Sequence, residues 1–170
     1  MDNTCDALIV GAGFAGLYML HKLRQEGFNA RVIEAGSGVG GTWFWNRYPG
    51  ARCDVPSVEY SYSFDTALEQ EWTWKERYSA QPDILEYLEH VADRYALRDG
   101  IVFNTRVTAA RWDEDAGRWM VETDAGGTYD ARHLILATGA LSEPRLPDLP
   151  GLENFAGPIL HTAKWDPSVD

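Results

Sequence analysis

Gly11, Gly13 and Gly16 spell G-x-G-x-x-G, and Glu34 stands 18 residues beyond the last of them. These residue types, in this order, are suited to holding the pyrophosphate and ribose of a dinucleotide. The first glycine permits a tight turn, the second lets the backbone approach a pyrophosphate, and the third lets a helix pack closely on a strand. A helix that opens here offers free N–H groups and the positive end of its dipole to phosphates. Glu34 can accept hydrogen bonds from a ribose 2′-OH and would repel a 2′-phosphate, so this first site selects FAD or NAD over NADP. A strand–turn–helix with incidental glycines explains the three glycines but not the acid at that distance.

The elements needed to position these residues are legible around them. ALIVGAG reads as a buried strand entering a glycine turn. GLYMLHKLRQEG has helical periodicity, with Leu17, Leu20 and Leu23 on one stripe and Gly27 as the stop. NARVIEAG is a second strand, which makes a βαβ unit with a parallel pair and a right-handed crossover. PDILEYLEHVADRYAL is an amphipathic helix with Pro82 in its first turn and Ile84, Leu85, Leu88, Val91 and Tyr95 on its stripe. Turn signals at DEDAG and DAGG predict a β-meander from Val102 to Tyr129, followed by a buried strand, HLILAT. EPRLPDLPGLENFAGP reads as a connector. The fold class expected is α/β: a Rossmann-like domain with a parallel sheet and a β-meander over 1–145, then a connector over 146–170.

Bulk properties exclude other classes. The net charge of −11 disfavours nucleic acid, whose phosphates want a cationic face. No run approaches the ~18 consecutive apolar residues of a membrane span. The N-terminus lacks the basic region and cleavage site of a signal peptide. Cys5 and Cys53 form no CxxC and have no metal-ligand company, so a reduced, cytoplasmic protein without a metal site is expected.

Between Gly36 and Phe64 lies a long stretch rich in Gly, Pro and aromatics. Its tryptophans and tyrosines argue for order, and such a stretch is usually functional. Gly40 and Gly41 allow another close backbone approach, and Thr138 and Gly139 end the returning strand beside the nucleotide site. A simple NAD domain would continue with another helix and strand. A meander in place of that second crossover, with an aromatic wall for a large ring system, favours FAD. Phe44 and Tyr48 read better as packing, and Trp72 and Trp74 as surface or packing residues.

GAGFAGLY, GGTWFWNRYPGARCDVPSVEYSYSF and LILATGALSEPRLPDLPGLENFAGPILHTAKW together resemble the N-terminal part of Baeyer–Villiger monooxygenases over essentially the whole chain. FAGPILHTAKWD resembles that family's fingerprint FxGxxxHxxxW, carried by Phe155, Gly157, His161 and Trp165. Related N- and S-oxidising flavin monooxygenases usually have Tyr where Trp165 stands.

The resemblance implies an enzyme in which FAD, NADPH and O2 convert a small-molecule ketone to an ester or lactone. It implies that Gly11, Gly13, Phe14, Ala15 and Gly16 hold the pyrophosphate and that Glu34 holds the adenosine ribose. Gly41, Thr42, Trp43, Trp45 and Tyr60 would meet the flavin side. Val107 would contact the adenine through its backbone, and Thr138 and Gly139 would close the site. Arg52 and Asp54 would face the flavin–nicotinamide junction, with Asp54 in a positioning and tuning role. His161 and Trp165 would be structural. A working member also needs a second G-x-G-x-x-G unit for NADPH, a segment completing the FAD domain, and an arginine beyond residue 170. The expected fold is therefore incomplete, with the NADPH-binding domain absent and turnover lacking without further segments. Two other readings stand beside this one: an N- or S-oxidising relative, and a flavin-binding module without catalysis.

Overall fold

The computed structural model describes residues 3–166 and 168–169. Six strands form one sheet in the order β3-β2-β1-β6-β5-β4. Strand β1 (Thr4–Val10) occupies the middle, with parallel β2 (Ala30–Ile33) on one side and parallel β6 (Thr128–Leu136) on the other. Helix α1 (Phe14–Gln25) makes the first crossover; Gly27, at φ +82°, supplies the left-handed residue that ends it.

The apolar run of β1 is explained by its two covered faces. Ala7 and Ile9 pack with Leu17 and Leu20 of α1 and with Ile84, Leu88 and Val91 of the long helix α4 (Gln81–Arg94). Leu8 and Cys5 join Val121, Tyr129 and Ala131 in the second core. Tyr87, which the apolar stripe of the sequence omitted, is the bulkiest fully buried side chain. The short helix α2 (Thr42–Trp45) interrupts the aromatic stretch, and α3 (Thr66–Glu71) follows it.

Three expectations about strands need correction. The second crossover is present: α4 leads to the short strand β3 (Ile101–Val102), which pairs parallel to β2. The meander begins later, with β4 (Val107–Asp113) and β5 (Arg118–Thr123), and it replaces the third crossover. Its last strand is β6 itself, antiparallel to β5 and parallel to β1, so the meander and the returning strand share one continuous segment. The third correction is burial: His133 is exposed and Leu136 is 69 % exposed. His133 and Leu136, three residues apart, lie on opposite faces of β6, and strand-period reasoning could not see that neither is covered among the described residues.

Beyond the β1–β6 ladder, Arg118 of β5 reaches across β6 to the parallel half. Arg118 bonds Asp130 of β6 and donates to the Cys5 carbonyl of β1 at 3.1 Å. At the predicted DEDAG turn, Asp113 Oδ1 accepts from Ala116 N and Gly117 takes φ +62°.

Candidate cofactor site

The carboxyl ends of β1, β2 and β6 meet where the connections from β1 and β6 diverge, the usual ligand position in an open α/β sheet. A cavity of about 860 Å³ opens there. Its floor is the glycine turn. A Cβ on Gly11 would sit 2.6 Å from Ala137 O, and one on Gly16 would sit 1.8 Å from Gly11 O. Helical bonding in α1 begins with Leu17 N donating to Gly13 O, so the N–H groups of Phe14, Ala15 and Gly16 have no partner within the helix. These are the donors an anionic pyrophosphate requires.

A second glycine turn locks onto the first. Gly40 N donates to Ala12 O at 3.0 Å, and a Cβ on Gly41 would lie 2.9 Å from Gly13 Cα. Gly41 has φ +54°, which carries the chain into α2. Thr42, Trp43 and Trp45 thereby reach the cavity wall. Buried Gln81, at the start of α4, donates from Nε2 to Trp43 O and from its backbone N to Ala51 O. Sequence reading missed Gln81 because its partner is 38 residues away.

Glu34 lies at the end of β2 with 5 % exposure. Its Oε2 accepts from Ala12 N at 2.6 Å and its Oε1 from Gly36 N at 2.7 Å. Each oxygen keeps a further lone pair for a ribose hydroxyl. Glu34 thus organises both glycine loops as well as lining the cavity.

Of the candidate residues, Gly11, Gly13, Phe14, Ala15, Glu34, Gly41, Thr42, Trp43, Trp45, Tyr60, Val107, Thr138 and Gly139 share this one cavity. Gly16 lies beneath it, its place dictated by packing. Arg52 and Asp54 are not in its lining. Arg52 pairs with Glu76 at 2.7 Å and donates to Tyr78 O. Asp54 is exposed, near enough to Tyr60 to push that phenol's pKa up, after burial and Cys53. The ion-pair partner of Arg52 is Glu76, 24 residues away, which spacing could not single out.

The cavity also uses residues that sequence reading did not name. Thr105 and Arg106 enter just before the meander; Ser142, Glu143 and Pro144 come from the segment after β6, with Arg106 paired to Glu143 at 3.1 Å. Ala163 and Lys164 close the far side, and with Ala35 and Trp45 they also line an adjoining cavity of about 730 Å³ that contains Arg47 and Trp165. The fingerprint is a compact turn: Lys164 N donates to His161 O, and His161 Nδ1 accepts from Ala163 N at 3.1 Å. That turn is what brings Lys164 back to a cavity floored about 150 residues earlier in the chain.

The glycine cradle, the free helix N-terminus and the buried acid at the next strand end define a dinucleotide-binding protein of the Rossmann-like class, with a meander in place of one crossover. The chain belongs to the pyridine nucleotide-disulphide oxidoreductase family, whose pattern it matches over residues 8–168. It is 49% identical over 166 residues to a Baeyer-Villiger monooxygenase of Pseudooceanicola batsensis, covering 97% of this chain and 30% of that one. It is 47% identical to a phenazine N-monooxygenase of Lysobacter antibioticus, covering 94% of this chain and 30% of that one. A solved structure of an oxidized steroid monooxygenase bound to NADP superposes with a TM-score of 0.89 at 56% identity, covering 96% of this chain and 31% of the other. The chain spans about 30% of the length of the curated relatives it matches.

Proposed function

We propose that the cavity binds FAD and that the chain is the FAD-binding part of a Baeyer–Villiger monooxygenase, in which NADPH and O2 serve to convert a ketone to an ester or lactone. The observation that carries the cofactor reading is the joined glycine cradle. Two interlocked turns leave no room for side chains, a helix N-terminus faces the gap, and a buried carboxylate waits beside it. Phe14, Ala15 and their neighbours bind the pyrophosphate through backbone N–H groups, and Glu34 the ribose. Trp43, Trp45 and Tyr60 wall the ring system away from water, and the Val107 backbone meets the adenine. When bound, FAD supplies the redox and oxygen-activating chemistry; the chain positions it and keeps it dry.

Asp54 and Arg52 are assigned to the rim on the flavin side, where a nicotinamide would arrive. Residues 146–170 are assigned as the link towards that second nucleotide. Because the chain spans about 30% of its relatives, turnover is assigned to the longer whole. Trp165 favours ketone oxidation. The phenazine N-monooxygenase relative, at 47% identity, keeps nitrogen oxidation as the second reading, and product analysis with a ketone and an N-heterocycle separates the two.

The first test is the visible spectrum of the purified chain with FAD and then NADPH. A bound-flavin spectrum that NADPH leaves unchanged is expected. Failure of this chain alone to bind FAD means that further segments are needed to close the site. Failure of the longer protein as well overturns the cofactor reading, and bleaching by NADPH overturns the assignment of turnover to the longer whole.

A further inference from the structure

We propose that a file of aromatic rings carries single oxidising equivalents from the cavity to the surface, where they come to rest on the hydrogen-bonded pair Tyr95–Asp65. The inference rests on the flavin reading for its natural oxidant, a stray one-electron oxidant arising from oxygen activation, but its test is independent of flavin.

The file begins at the cavity wall. Trp43 and Tyr60 both line the cavity, their rings 5.5 Å apart. Phe14 bridges Tyr60 at 5.5 Å to Tyr62 at 5.4 Å. Phe64 bridges Tyr62 at 5.3 Å to Tyr95 at 5.4 Å. Tryptophan and tyrosine lose an electron far more readily than phenylalanine, which serves only as a tunnelling bridge.

Where the hole settles depends on where a proton can go. The Tyr62 hydroxyl donates to the Phe14 carbonyl at 2.6 Å, which is too weak a base to take its proton. The Tyr95 hydroxyl donates to Asp65 Oδ2 at 2.5 Å, and a carboxylate can accept that proton as the electron leaves. Packing alone accounts for buried rings, but it does not require a base at the outer end of the file. The overall step balances: an oxidant in the cavity gains one electron, Tyr95 loses one electron, and the phenol proton passes to Asp65.

The test places an oxidant in the cavity by chemistry. Ser142 is exposed and lines the cavity, while Cys5 and Cys53 are both buried. A Ser142→Cys variant can therefore carry a thiol-linked ruthenium polypyridyl, fired by a light flash with a soluble electron acceptor and frozen for electron paramagnetic resonance. A tyrosyl radical is expected. It should be lost in Tyr95→Phe and in Asp65→Asn, where asparagine still caps α3 but cannot take the proton. Trp43→Phe combined with Tyr60→Phe should lower its yield. No protein radical in the labelled parent, or an unchanged tyrosyl signal in Tyr95→Phe, overturns the proposal. A failed FAD titration, of this chain and of the longer protein, overturns only the cofactor reading.

Discussion

Glu34 shows how one side chain can serve structure and ligand together. Its two oxygens hold the N–H groups of Ala12 and Gly36, one from each glycine loop. Replacing it with alanine strands two buried donors, so Glu34→Ala should cost about 2–4 kcal/mol of stability in urea denaturation. FAD affinity should fall in the same variant, and an unchanged urea midpoint would show that these bonds carry little weight. Gly16 makes a complementary case. An alanine there meets Gly11 O at 1.8 Å, so Gly16→Ala should cost roughly 1–3 kcal/mol and abolish flavin uptake. Gly27→Ala is strained only by its positive φ, with no atom within 4 Å, so it should cost about 1–2 kcal/mol and leave uptake intact. Asp54→Ala should barely alter FAD retention in a spectral titration, since Asp54 stands outside the cavity lining.

Helix α4 is the element that couples the core to the site. Its first residue, Gln81, holds the Trp43 carbonyl, and Tyr87 accepts a hydrogen bond from Tyr62 N at 2.8 Å through its hydroxyl. Burial pushes the Tyr87 phenol up to about 12 and raises Tyr62 as well. Unfolded tyrosine ionises near pH ~10, so the unfolded chain loses these protons first. The stabilisation is complete below that pH and is lost as pH climbs towards 12. Phenolate absorbance and far-ultraviolet circular dichroism should therefore change together in this window. Exposed tyrosines titrating while the dichroism stays constant throughout would contradict it. Tyr87→Phe leaves Tyr62 N without its acceptor, and a loss of about 1–3 kcal/mol is expected.

At the scale of the whole molecule, apolar side chains from the end of β6 into the connector remain exposed. Leu136, Leu141, Leu146, Leu149 and Phe155 are each more than half exposed. Exposed apolar side chains in such number give a hydrophobic probe places to bind. Replacing Leu146 and Leu149 with serine should cost less than about 1 kcal/mol each, because about half of each side chain is already in solvent. The same change should lower the fluorescence of a bound hydrophobic dye. Unchanged fluorescence would show that these leucines do not form the dye-binding face.

The glycine turn, the first helix, the second strand and its terminal acid were all legible in the sequence. Each is encoded within a short span by turn chemistry and periodicity, where local physics suffices. Helix α4 was legible for the same reason, although its buried Tyr87 was not. Closure over long separations belonged to the tertiary structure. The position of β3 beside β2, the double role of β6, and the pairing of Arg52 with Glu76 depend on segments that meet only after the chain has folded back. So do the occupied oxygens of Glu34 and the return of Lys164 to the cavity. Periodicity records which face a residue prefers; it does not record which distant residue will be there to meet it.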